Sequence, residues 1–446
     1  MRKVVYALIF IVAFGMSFSV FPYFGNDRLS LRFVYANATD GFVQIDLTGK
    51  DGYTDGDGTE YVVLRQSMIL SAGGSNGAYF GKTGTTYALT LKKHENYILD
   101  GNLEFDSNAF KITWRDEGEE LGGMILHGNG YAIKSAVISG GLVAVNNGVI
   151  KHLKIDGSCG VTGAAVAAHN DGTIYDVENY AAVSPLSVVI AGKAENCAGG
   201  LAIENNGVIA SSDNYANVNG NGGIARVNNA TGIIRDSVNW GRISGASTDA
   251  GGIAGNNAGI IVKCVNYGDV DGKSASAGGI AGISSGRIEN AENRALIAGG
   301  AVAGGIAGTF RGEIEKGVNL GLVKALSSSG IAGGIAGKTG SGATEENTKI
   351  SNSQNAAVVI GAGAAKGILG NGTASTKSNG NLNYGRMNGK TQLTADIDEF
   401  LNEWKVFILA AAVGLAVAGI ALIFVDRYKA VRNRRQEIET ILAYTA

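Results

Sequence analysis

The feature that most constrains this chain is a recurring asparagine. Asn179, Asn214, Asn239, Asn266, Asn293, Asn319, Asn355 and Asn383 follow one another at intervals of 35, 25, 27, 27, 26, 36 and 28 residues. Five residues before these markers stand Ile174, Ile209, Ile234, Ile261, Ile288, Ile314 and Ile350; only the last unit departs, with Ser378. Seven before stand Gly172, Gly207, Gly232, Gly259, Gly286 and Gly312. Two after, every residue is Gly or Ala; four after come Val183, Val218, Ile243, Val270, Ile297, Val323, Val359 and Met387. A second register, Gly-Gly-Ile-Ala-Gly, occurs at 251–255, 278–282, 304–308 and 333–337, with weaker forms at 140–144, 199–203 and 222–226. A fixed period of this length marks a repeat architecture in which each unit buries its apolar face on the next.

The unit reads as a coil of strand. Residues at the marker, two after and four after alternate with polar ones, which is strand periodicity. Glycine at this density disfavours helix. About 26 residues is too long for a hairpin repeat and suits three short strands with three turns. Stacked in parallel, equivalent positions of successive coils lie ~4.8 Å apart. Ile and Val then form inward columns, glycines take corners that need positive φ or tight backbone approach, and the asparagines form an internal amide ladder. Charges at equal register read as outward cross-coil pairs: Asp236 with Lys263, Arg242 with Asp269, and Arg287, Glu313 and Lys349 in succession. The expected class is all-β, a parallel β-helix solenoid over 96–390.

The run Gly251–Gly255, then Gly259-Ile-Ile-Val-Lys-Cys-Val-Asn-Tyr-Gly-Asp-Val270, resembles the GLUG-motif repeat proteins of bacterial surfaces. The resemblance is good over roughly residues 200–340 and weaker on both sides. It implies a right-handed β-helix in an extracellular, usually adhesive or stalk-like, setting. Several units carry Ala where the motif has Gly (Ala216, Ala295, Ala357). The motif describes coil-building residues, so it implies no catalytic or binding residue.

The ends suggest where the chain lives. Arg2 and Lys3 precede an apolar run from Val4 to Phe24, so 1–38 reads as an export signal, either cleaved near Ala36 and Ala38 or retained as an anchor. Residues 39–95 read as an N-terminal cap with the first strands, and 391–404 as an amphipathic capping helix. Val406 to Val425 carries no charge and is long enough to span a bilayer as a transmembrane α-helix, within a segment taken as 405–425. Arg427, Lys429, Arg432, Arg434 and Arg435 follow, which places the tail, 426–446, in the cytoplasm. The bulk of the chain is then extracellular, and the membrane is its first expected partner.

Composition excludes several classes. With 69 glycines but 2 prolines the chain is not collagen, and 45% hydrophobic against 17% charged residues excludes a disordered linker. A formal charge of −2 gives no general attraction to nucleic acid. Cys159, Cys197 and Cys264 read as small buried fillers, with one disulfide the alternative. The four histidines show no metal-ligand spacing. No cofactor is expected, apart from calcium as one reading of a glycine-rich loop. There Asp51, Asp55, Asp57 and Glu60 present oxygens dense enough for Ca²⁺, or form an ordinary solvated turn.

Tyr180, Tyr215, Trp240 and Tyr267, each one residue after a marker, form a column on four consecutive coils. Facing outward they either bind a ligand such as a sugar or cover a turn. Two function classes stand. One is a non-catalytic surface module, an adhesin or stalk that binds a surface glycan or a host protein. The other is a polysaccharide lyase or glycoside hydrolase, which needs acids converging on one strand face. The regular coils show alternating charges instead; the denser acids, Asp116, Glu117, Glu119 and Glu120, fall on an expected insertion.

Overall fold

The computed structural model describes residues 42–70, 80–91, 95–114, 124–190, 193–245, 249–375 and 380–388. The expected export segment, capping helix, transmembrane helix, basic tail and the acids at 116–120 lie outside them. Among the described residues no helix is long and apolar enough to cross a membrane.

Those residues wind into a parallel β-solenoid of about ten turns. One coil runs through Ala250–Gly251, Ala254–Asn257, Ile260–Val262, Val265–Asn266 and Val270–Asp271, and the next repeats it from Ser276–Gly278. Each piece pairs in parallel with its counterpart: Ile261 with Ile288, Asn266 with Asn293, Val270 with Ile297. The expected three strands per coil are therefore five shorter ones. One of the breaks, between Ile260–Val262 and Val265–Asn266, falls at a left-handed residue three before the marker. Asp176, Ser211, Asp236, Lys263, Asn290, Lys316 and Asn352 have φ between 48° and 54°, and Gly380 has 68°. Such a conformation is uncommon for residues other than glycine. Here the corner N–H of Ser211, Asp236, Lys263, Asn290 and Lys316 reaches the next coil, as Lys263 N donates to Glu289 O at 3.0 Å and Asn290 N to Glu315 O at 2.9 Å.

Of the two roles open to the glycines, close approach is the one found. Gly259, Gly286 and Gly312 do not adopt positive φ; they permit close approach. A methyl group on any of them would overlap the carbonyl of Gly232, Gly259 or Gly286 on the preceding coil. The second glycine of the other register has the same task toward the interior. Gly252, Gly279, Gly305 and Gly334 lie against the amides of Asn266, Asn293, Asn319 and Asn355, where no side chain fits. The two repeat registers are thus two sides of one contact.

The core follows the expected columns. Ile174, Ile209, Ile234, Ile261, Ile288, Ile314 and Ile350 are fully buried, as are Ile253, Ile280, Ile306 and Ile335 of the second register. The marker asparagines form the amide ladder: from Asn179 to Asn383 each Nδ2 donates to the next Oδ1 at 2.8–3.0 Å. A second ladder, not anticipated, runs through Asn146, Asn170, Asn205, Asn228 and Asn257 at 2.7–2.8 Å and ends on Ser284 Oγ at 3.1 Å.

Both long intervals leave the coil as expected. Between Pro185 and Cys197 the chain makes an antiparallel hairpin, Leu186–Ile190 against Lys193–Cys197, and 340–348 forms a run of turns. The charge pairs hold only in part. Arg287 reaches Glu313 at 3.7 Å but also Glu289 at 2.9 Å and Glu315 at 3.0 Å. Arg242 meets Asp271 at 3.3 Å rather than Asp269, because Asp269 Oδ1 accepts the Leu296 N–H. Asp236 bonds Arg235 of its own coil at 2.8 Å. Near the N-terminus Tyr61–Leu64, among the first strands expected within 39–95, pairs in parallel with Asn96–Leu99. The three cysteines are buried thiols rather than bridges. Burial raises the Cys264 thiol to about 12.

Candidate functional site

Alternation sets the site. Where a marker asparagine points inward, the next side chain points out, and its N–H is fixed on the preceding coil: Tyr215 N on Asn179 O, Trp240 N on Asn214 O, Tyr267 N on Asn239 O, each at 2.8 Å. Identical anchoring on successive coils stacks the rings. Tyr180 and Tyr215 lie 4.7 Å apart at 4°, Tyr215 and Trp240 6.2 Å apart at 3°, Trp240 and Tyr267 4.1 Å apart at 3°. Tyr180, Tyr215 and Trp240 remain 42%, 36% and 46% exposed. The four residues named from spacing are one physical object.

Its chemistry differs from a sugar-stacking platform. A sugar packs on a ring face, and here the inner faces are occupied by the neighbouring rings, so the column offers edges to solvent. Carboxylates flank its first two rings, Glu178 and Asp213 two residues upstream of Tyr180 and Tyr215. Tyr180 Oη donates to Glu178 Oε2 at 2.9 Å and Tyr215 Oη to Asp213 Oδ2 at 3.3 Å. Burial and these acids hold both phenols well above their usual range. Asp213 is itself buried, which pushes its carboxyl up to about 6 despite the bonds it accepts from Val238 N and Tyr215 Oη. At the far end Arg294 lies with Cζ 5.5 Å from the Tyr267 centroid, its Nε held at 2.6 Å by Glu292.

The calcium loop is not assembled as a cation site. Asp55 Oδ1 accepts the N–H groups of Asp57 and Thr59 and Oδ2 the Tyr61 hydroxyl, while Asp51 turns to Arg65 at 3.3 Å. Among the described residues no three His, Cys, Asp or Glu side chains group as metal ligands.

The sequence reading missed a histidine cluster. His127 and His152 lie 4.8 Å apart on neighbouring coils, and Phe42 stacks on His152 at 4.2 Å. His152 Nδ1 meets Asp176 Oδ2 at 2.7 Å. Burial lowers the His127 pKa to about 3, and its Nδ1 accepts the Asn129 N–H at 2.9 Å. The available signal was separation by one coil length, 25 residues and then 24, which is invisible to a search for local metal spacing.

No family model matches this chain, and neither a curated protein nor a solved structure does. The class is therefore defined by the fold: a parallel β-solenoid repeat protein with an aromatic column along one outer edge.

Proposed function

We propose that this chain is a non-catalytic, exported and membrane-anchored module, an adhesin or stalk of a bacterial surface, that holds a protein ligand along the aromatic column. The resemblance of its coils to GLUG-motif repeats, which would make the winding right-handed, supports the setting. So do the apolar run at Val4–Phe24 and the uncharged stretch Val406–Val425 with its basic flank. The observation that carries the binding reading is the coplanar stack Tyr180–Tyr215–Trp240–Tyr267, exposed along its edges. Ring edges with engaged hydroxyls suit the irregular apolar and acceptor groups of a protein better than the flat face of a sugar.

Adhesion of the full-length chain to immobilised extracellular-matrix protein should fall at least tenfold on Trp240→Ala or Tyr215→Ala, with circular dichroism unchanged. Protease added to intact cells should leave a small membrane-bound remnant containing Arg432; soluble full-length protein in the medium would contradict the anchor.

One observation favours the enzyme reading. Glu178 and Asp213 sit opposite each other on adjacent coils, with unequal environments of the kind that separates acid from base. Against it, both Asp213 oxygens already accept bonds and the residue is 6% exposed. A general acid must reach its substrate. Cleavage of pectin or alginate that disappears in Glu178→Gln would establish the enzyme.

A further inference from the structure

We propose that the N-terminal end of the aromatic column is a receptor for one guanidinium group, the arginine side chain of a protein partner. The inference rests on the binding role given to the column above.

The far end shows what such a site looks like when filled. Tyr267 has Trp240 on one face, and toward the other lies the guanidinium of Arg294, one coil on, with Cζ 5.5 Å from the ring centroid. Glu292 grips that guanidinium at 2.6 Å. Cation, ring and carboxylate form one unit, held by cation–π attraction and an ion pair.

Tyr180 stands at the opposite end with one face on Tyr215. Among the described residues no ring or cation is recorded on its other face. Ile155 pairs with Asn179, so the place that Arg294 holds beyond Tyr267 is held before Tyr180 by Asp156. The column thus runs Asp156, Tyr180, Tyr215, Trp240, Tyr267, Arg294, acid at one end and cation at the other.

The acids at the open end are half used. Asp156 Oδ1 takes both the N–H and the hydroxyl of Ser158, at 2.9 and 2.6 Å. Glu178 Oε2 takes both the Tyr180 hydroxyl, at 2.9 Å, and the Lys154 ammonium, at 3.0 Å. Asp156 Oδ2 and Glu178 Oε1 have no donor among the described residues. Lys154 offsets one of these charges and Lys134 acts on Asp156 from a distance, while Asp176 is engaged by His152. What the end lacks is a flat cation with donors on two edges. Guanidinium has that shape and lysine ammonium does not.

The test uses the full-length chain and a labelled pentapeptide, Gly-Ser-Arg-Ser-Gly, against the same peptide with citrulline or lysine and against protonated chitosan oligomers. The arginine peptide should bind saturably at low salt, with citrulline at least tenfold weaker. Tyr180→Leu and Asp156→Asn should each weaken it at least fivefold. Asp156→Arg, which sets the chain's own guanidinium before the ring, should abolish binding while circular dichroism and Tm stay at wild type. Equal affinity for the citrulline peptide, indifference to both Asp156 changes, or chitosan binding in place of the arginine peptide would each overturn the site. Trp240→Ala separates the two readings. A matrix ligand lost in Trp240→Ala but unmoved by Asp156→Asn keeps the column as a contact and removes the guanidinium site; peptide affinity that follows Asp156 but not Trp240 does the reverse.

Discussion

A buried amide earns its place only if all four of its bonding positions are filled, and Asn266 fills them. Its Nδ2 donates to Gly268 O and Asn293 Oδ1; its Oδ1 accepts from Asn239 Nδ2 and Gly268 N. Serine has too few groups for this, and glutamine carries them one methylene too far. That strictness is why the marker could be read from sequence. The second ladder escaped because it keeps asparagine over five coils only and then passes to Ser284 and to Phe310. Asp213 is a buried carboxyl, and it yields a pH prediction. Its folded-state pKa of about 6 lies above the unfolded value of 3.8. The group therefore contributes stability below the unfolded value, and that contribution is lost as pH rises through the folded one. Asp213→Asn keeps an acceptor for Val238 N without the buried charge. It should gain up to roughly 3 kcal/mol at pH 7 and nothing at pH 3, read from urea midpoints. His127, held neutral by burial, loses its contribution in the opposite direction, as pH falls from its ordinary value toward about 3; comparing variant with wild type at each pH cancels it. An unchanged difference between the two pH values would disprove the assignment.

At the scale of elements the sequence yielded positions better than backbone shape. The isoleucine columns, the Val and Ile columns and both excursions from the coil were legible because burial leaves a period. The left-handed corner was not, since Asp236, Lys263, Asn290 and Lys316 share a φ but no chemistry. Glycine marked close approach of coils instead, a distinction that spacing does not encode. Stability should follow this division. Ile261, fully buried within its column, should cost ~2–5 kcal/mol as Ile261→Ala, from lost transfer energy and the cavity left behind. The run 340–348 should cost little. It joins Thr339 to Lys349, where the coil before joins Phe310 to Glu313 through Arg311 and Gly312 alone. Replacing 340–348 by Arg-Gly should therefore change stability by no more than about 1 kcal/mol. Thermal unfolding of the two variants checks both claims, and a larger loss from the loop would mean that it is part of the core.

For the molecule as a whole, cohesion lies between neighbouring coils, because each coil contacts the one before and the one after. Whole coils should then be removable while fractions of a coil are not. Excising Asn266–Glu292 removes one full period of 27 residues and joins Val265 to Asn293. The marker ladder and the Ile column close again: Asn239 meets Asn293, and Ile261 occupies the coil that now precedes Ile314, while Asn257 loses Ser284 and the second ladder ends one residue earlier. Gly252 meets the amide of Asn293 as it met that of Asn266, and Gly286 leaves together with the contact it made to Gly259. The shortened chain should fold with a wild-type circular dichroism spectrum per residue and a cooperative transition, slightly less stable because one interface is lost. Removing half of that segment moves Ile and Val columns onto asparagine columns and strands both ladders, so that chain should not fold. The full excision also rewires the surface in a way spectroscopy can read. Tyr267 and Glu292 depart together, which brings the guanidinium of Arg294 directly onto Trp240 without its carboxylate partner. Trp240 emission should then become sensitive to Arg294→Gln, a dependence that four stacked rings conceal in the parent chain. Failure of the full excision to fold, or Trp240 emission indifferent to Arg294, would show that the coils are not interchangeable units of one stack.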